Sequence, residues 1–132
     1  GLITGTASGE YTEYTLTIRG NPSSGETIQL DFLHHDGTES QVQILADYAN
    51  NELFATAVRN AVNGLTLYTA TGSVTQVTGT SDASPPYKFT LKSSSTGNTH
   101  FFTVNVTWLD AALNNTSYIG VSDEQMALMS TI

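Results

Sequence analysis

Apolar and polar side chains alternate along much of this 132-residue chain, and a period of two constrains its fold more than any other feature because it is the pattern of half-buried β-strands. Around Leu16 the apolar side chains share one face, and the threonines between them take the other. Polar turn residues such as Asn21-Pro22 and Asp36-Gly37 separate the alternating segments. The pattern therefore predicts antiparallel strands joined by short turns. The clearest apolar faces are Tyr14, Leu16 and Ile18; Ile28, Leu30 and Phe32; Tyr87, Phe89 and Leu91; and Phe102, Val104, Val106 and Trp108.

One segment follows a helical period instead. Its apolar side chains recur at three- and four-residue spacing and predict a helix of about three turns. Asn50 or Asn51 can cap its start, and Gly64 stands where a C′ glycine would end it. The residues of this stripe are Leu53, Phe54, Ala57, Val58, Ala61 and Val62.

Shorter strands are predicted at 40–45, around Leu65 to Tyr68, and around Val74 and Val77. The resulting order, three strands, a helix and four strands, predicts an α+β fold. We expect mainly antiparallel β-sheet, or a sandwich, with one amphipathic helix packed on it.

The chain divides into a β-rich domain over residues 11–109, an N-terminal arm over 1–10 and a C-terminal tail over 110–132. The arm contains three glycines and little periodicity, so we expect it to order only against a neighbour. In the tail, residues 122–125 resemble a capping box that leads into a helix at Met126. Its apolar cluster either folds back on the core or docks on another subunit.

The charge balance excludes some partners. The chain has 4 basic residues against 12 acidic ones, and 12% of its residues are charged, where about 25% is usual. Phosphate neutralisation needs clustered cations, so we expect neither nucleic-acid binding nor attraction to anionic membranes.

The sequence contains no cysteine, no apolar run near the roughly 18 residues of a membrane span and no signal-peptide pattern.

His34, His35 and Asp36 form the one cluster that suggests metal binding or catalysis. Neighbouring strand residues point to opposite faces, so the two histidines cannot both bind one ion without a bend. His100 would have to meet them in space, and its spacing does not require that. The chain has no G-x-S-x-G motif, and its carboxylates are scattered. We therefore predict no catalytic, metal or cofactor site, and a protein that is not an enzyme.

Three stretches together resemble a small domain of tailed-bacteriophage structural proteins. They are YTLTIRGNPSSGETIQLDFLHHDGTESQVQI, NNELFATAVRNAVNG and YKFTLKSSSTGNTHFFTV. The resemblance covers about residues 14–106 and places turns at Gly25 and Asp36-Gly37, a packing helix over 54–62 and a closing hairpin over 91–104. Residues 41–51 are longer than a tight connection in that pattern, and the last 24 residues have no counterpart in it.

The resemblance implies a virion building block. We expect a non-enzymatic capsid decoration (cement) protein on the outer capsid surface, a dimer or trimer that bridges and stabilises major capsid protein subunits. The alternatives are a phage tail protein of the tube, baseplate or fibre, and a carbohydrate-binding or adhesin module in which Trp108 and surface tyrosines stack on sugars. The residues that we expect in subunit contacts are Leu2, Ile3, Met126, Leu128, Met129 and Ile132.

Overall fold

The computed structural model of the chain has ten strands and one helix in the residues that it describes, and it confirms the α+β prediction. Those residues are 2–4, 10–19, 21–65, 69–93, 102–110, 112, 115–116 and 128–131. The elements are β1 (Leu2–Thr4), β2 (Glu10–Ile18), β3 (Thr27–His34), β4 (Glu39–Leu45), α1 (Asn51–Asn63), β5 (Thr69–Thr71), β6 (Thr75–Gln76), β7 (Tyr87–Ser93), β8 (Phe102–Leu109), β9 (Asn115–Thr116) and β10 (Leu128–Thr131).

The strands form two antiparallel sheets. The first sheet has the order β1-β8-β3-β4, with β9 also paired to β8. The second sheet has the order β10-β2-β7-β5, with β6 also paired to β7. In the first sheet Leu30 stands opposite Val42 on one side and Val106 on the other, which puts three apolar side chains in one row. Strands β3 and β4 are neighbours in the first sheet, whereas β1 and β2 lie in different sheets, as do β7 and β8.

The core lies between the sheets, and every second residue of the long strands points into it. The Tyr14 ring of the second sheet packs on Phe102 of the first, with ring centroids 5.2 Å apart, and its hydroxyl donates a hydrogen bond to the Phe102 carbonyl at 3.0 Å. The two sheets therefore face each other as a sandwich. The strand side chains predicted to face inward are buried, apart from the half-buried Tyr87: Tyr14, Leu16, Ile18, Ile28, Leu30, Phe32, Phe89, Leu91, Phe102, Val104, Val106 and Trp108.

Helix α1 packs against strands of both sheets, namely β2, β4, β5 and β7. Asn50 is its N-cap, because the side-chain oxygen accepts a hydrogen bond from the Leu53 backbone N–H at 2.9 Å. Phe54 is fully buried and lies between the Tyr48 and Trp108 rings, at centroid distances of 5.6 and 6.2 Å. This aromatic group joins the helix to the first sheet.

Two details of the helix prediction are wrong. Leu53 is 48% exposed, and Ala55 lies in the core instead. The buried stripe is therefore rotated from the predicted one, because the helix must face two sheets at once. The helix ends at Gly64 as predicted, but this residue has the right-handed conformation, with φ −74°; its N–H donates to the Asn60 and Ala61 carbonyls, so the helix does not end on a left-handed glycine.

Two predicted turns are confirmed, and both require glycine. Gly25 has φ +80° and Gly37 has φ +85°, in the left-handed region that other residues rarely adopt. In the β3–β4 hairpin the Gly37 N–H donates to the His34 carbonyl at 2.9 Å, and the His34 N–H donates to the Thr38 carbonyl at 2.8 Å. This is a three-residue hairpin loop with glycine at its left-handed position.

The two short strands predicted after the helix are confirmed only in part within the described residues. Leu65 is outside any strand, and the strand next to it in sequence is β5, which begins at Thr69. Leu67 and Tyr68 lie outside the described residues. Between Val74 and Val77, β6 is two residues long. Strand β9 was not predicted at all.

The segments at both ends of the sequence pair with strands of the same domain. In the predicted arm, β1 pairs with β8 of its own chain, so the expectation that the arm orders only against a neighbour is wrong. In the predicted tail, β10 is a strand on β2, so the predicted helix does not include Leu128 or Met129. The tail thus folds back on the domain at these residues, which is the first of the two alternatives.

Candidate functional site

The histidine cluster occupies the end of β3 and the turn after it. His34 is 2% exposed; its Nε2 lies 3.1 Å from the Ser40 hydroxyl, and its ring stacks on Phe32. Asp36 accepts a hydrogen bond from the Thr38 N–H at 3.0 Å, which stabilises the turn. These contacts give His34 and Asp36 structural roles. Within the described residues, no three His, Cys, Asp or Glu side chains are grouped to hold a metal ion, and His100 lies outside them.

The burial of His34 predicts a pH-dependent stability. Burial lowers the pKa of His34 and outweighs the nearby Asp36 carboxylate, which acts in the opposite direction. The unfolded state therefore binds a proton more readily than the folded state. The free energy of unfolding keeps its full value above the unfolded pKa of about 6.5, and it decreases as the pH falls towards the folded pKa. We expect urea unfolding to show a loss of stability between about pH 7.5 and about pH 5.5.

A His34→Asn variant is the control for this titration. Asparagine does not titrate, so the variant should have a smaller loss over the same pH range even though it is less stable throughout. Equal losses in the two proteins would show that His34 does not cause the pH dependence.

The outer face of the first sheet carries a connected ladder of amides around one carboxylate. Asp31 accepts hydrogen bonds from the Gln29 amide at 2.8 Å and the Gln41 amide at 2.9 Å. The Gln43 amide donates to the Gln29 side-chain oxygen at 2.6 Å. On the neighbouring strand the Asn105 amide donates to the Thr107 hydroxyl at 3.3 Å.

This amide ladder explains how a chain with few charges keeps a polar surface. Its strands alternate buried apolar side chains with outward amides and hydroxyls, so the face is hydrated mainly through neutral groups. Asn105 and Thr107 also belong to an Asn-x-Thr sequon, but Asn105 lies within β8 and is paired with β3 and β1 on its two sides. The ladder itself presents hydrogen-bonding groups, and the same face also exposes the side chains of Leu33 and Leu45 at its ends.

The sheet edges hold the segments predicted for subunit contacts. In the first sheet β1 lies on β8, with Leu2 opposite Asn105 and Ile3 opposite Val104. Because this pairing uses backbone groups, any strand of suitable length and register can make it. The backbone groups of an edge strand can also pair with a strand of another chain.

The second sheet has the same arrangement at the other end of the chain. Strand β10 lies on β2, with Leu128 opposite Glu13 and Met129 opposite Thr12. The structure thus brings four of the six predicted contact residues to sheet edges, two on each sheet. Met126 and Ile132 lie outside the described residues. Sequence reasoning missed the strand pairing because segments of three and four residues are too short to show a period.

Trp108 is in the core at 5% exposure, as its place in the alternating pattern predicts. It is therefore not a surface platform for sugars, and that form of the carbohydrate-binding alternative is wrong. Of the tyrosines, Tyr14 is buried, Tyr48 and Tyr87 are half-buried, and the side chain of Tyr11 is outside the described set, as are Tyr68 and Tyr118.

No protein-family description, curated protein or solved structure matches the chain. Among the described residues, no helix has the length and apolar character needed to cross a membrane.

Proposed function

We propose that the chain is a non-enzymatic structural protein of a bacteriophage virion, a decoration protein that bridges and stabilises neighbouring major capsid protein subunits on the outer capsid surface. The observation that carries this proposal is that β1 and β10 lie on the edges of different sheets, one on each. A strand held at an edge by backbone pairing is an element that assembling subunits can share.

The surface of the domain supports this role. An outer capsid surface does not face packaged DNA, so a protein there needs no basic patch. The net charge of −8 and the amide ladder of the first sheet fit such a position. The resemblance of residues 14–106 to phage structural domains favours the same class over an enzyme.

The proposal predicts that both edge strands contribute to particle binding. Removal of residues 1–9, which takes away β1 and leaves β2 whole, should weaken binding to capsids that lack the protein by at least about tenfold, which corresponds to about 1.4 kcal/mol. Removal of residues 122–132, which takes away β10, should do the same. Cosedimentation with the capsids measures this loss.

The control is the folded state of each truncated chain. Both should keep the circular dichroism and a cooperative unfolding transition, because the buried residues of the core lie within 14–108. If both folded truncations bind capsids as tightly as the intact chain, the bridging role of the edge strands is contradicted. Binding to tails in place of capsids would favour the tail-protein alternative.

A further inference from the structure

The connection to β10 is long compared with the spacing between the two sheets. Eleven residues, 117–127, separate β9 of the first sheet from β10 of the second. Facing sheets pack about 10 Å apart, whereas eleven extended residues reach about 36 Å. The length of this connection therefore does not require β10 to lie on the β2 strand of its own chain.

The site on β2 is the same whichever copy supplies the strand. The register joins four residue pairs, from Leu128 opposite Glu13 to Thr131 opposite Glu10. A strand from a second copy would make identical backbone hydrogen bonds in that register. The difference in free energy between the two arrangements lies mainly in the connection and in the concentration of neighbouring copies.

We propose that β10 of one copy of this chain pairs with β2 of a second copy when copies lie side by side. The binding partner of the β2 edge is then another molecule of the same protein. The proposal rests on the proposed function, because a particle surface is what holds copies together. A connection of this length gives the strand's own chain an effective concentration of about millimolar. In dilute solution β10 therefore stays on its own β2, and near-millimolar neighbours compete with it.

The chain contains no cysteine, which permits a direct test. One variant carries Thr12→Cys and a second, size-tagged variant carries Met129→Cys, at positions that oppose each other across β2 and β10. Opposed Cα atoms in antiparallel strands lie about 4.5–5.5 Å apart, within the range of a disulfide. The two variants are mixed at about 1 mM in a glutathione redox buffer, and the tagged heterodimer is quantified on a non-reducing gel.

The matched control is a mixture of Thr15→Cys and Thr90→Cys chains, which oppose each other across β2 and β7 inside the second sheet. This pair cannot meet between folded chains by exchange of β10, so its heterodimer measures random collisions. We expect the Thr12 and Met129 mixture to give at least about five times the control yield, and the excess to disappear on dilution to micromolar concentration. A yield at the control level would overturn strand exchange.

Capsid binding by the unaltered chain separates this inference from the proposed function. Binding without an excess of heterodimer overturns the exchange and leaves the decoration role in place. An excess of heterodimer without capsid binding supports exchange between copies and contradicts the decoration role.

Discussion

Replacing Phe54 with alanine is expected to lower the free energy of unfolding by about 3–5 kcal/mol, the usual cost of truncating a fully buried aromatic side chain. Phe54 has no exposed surface and its ring contacts Tyr48 and Trp108. Its loss opens a cavity where the helix meets the first sheet. Urea unfolding should show a lower midpoint with an unchanged slope.

Leu53 is the matched control, because it lies beside Phe54 on the same helix and is 48% exposed. Leu53→Ala should change the free energy of unfolding by no more than about 0.5 kcal/mol. If the two variants lose equal stability, the orientation of the helix described above is incorrect.

Replacing Asn51 with alanine is expected to lower the free energy of unfolding by about 2–3 kcal/mol, because it removes a fully buried side chain together with the hydrogen bonds that its amide donates. Asn51 is fully buried at the first turn of α1. Its amide nitrogen lies 3.2 Å from both the Ser84 hydroxyl and the Pro85 carbonyl oxygen. The residue thus ties the helix to the loop before β7, and thermal or urea unfolding measures the loss.

The neighbouring Asn50 supplies the comparison. Its side chain caps the helix at the surface, so Asn50→Ala should cost about 1 kcal/mol. A larger loss for Asn50→Ala than for Asn51→Ala would show that the contact with the loop contributes less than the cap. The sequence left open which of the two asparagines caps the helix, and the structure assigns the cap to Asn50.

The long strands and the helix could be predicted because their own sequences carry a period. Leu16, Leu30 and Val104 lie in segments where apolar and polar residues alternate over six or seven positions, and each is buried as expected. The position of Phe54 in the helical stripe is confirmed in the same way. Local hydrophobic pattern therefore determined which faces enter the core.

The remaining features depend on contacts between distant parts of the chain. The spacing of Leu53 fits the apolar stripe of the helix. However, the positions of the two sheets determine which side of the helix is buried, and Leu53 lies on the exposed side. Strands β1 and β10 are defined by their partners β8 and β2, and a short segment does not encode its partner locally. The sequence around Asn51 indicates only a helix cap, because the acceptors of its amide lie more than thirty residues away.

The most direct test of the decoration role is the temperature at which DNA-filled capsids release their DNA, measured with a dye that fluoresces on free DNA. Capsids that lack the protein are compared before and after addition of the intact chain or of a form without residues 1–9 and 122–132. The account predicts that the intact chain raises the release temperature and that the shortened form does not. An unchanged release temperature after addition of the intact chain would contradict it.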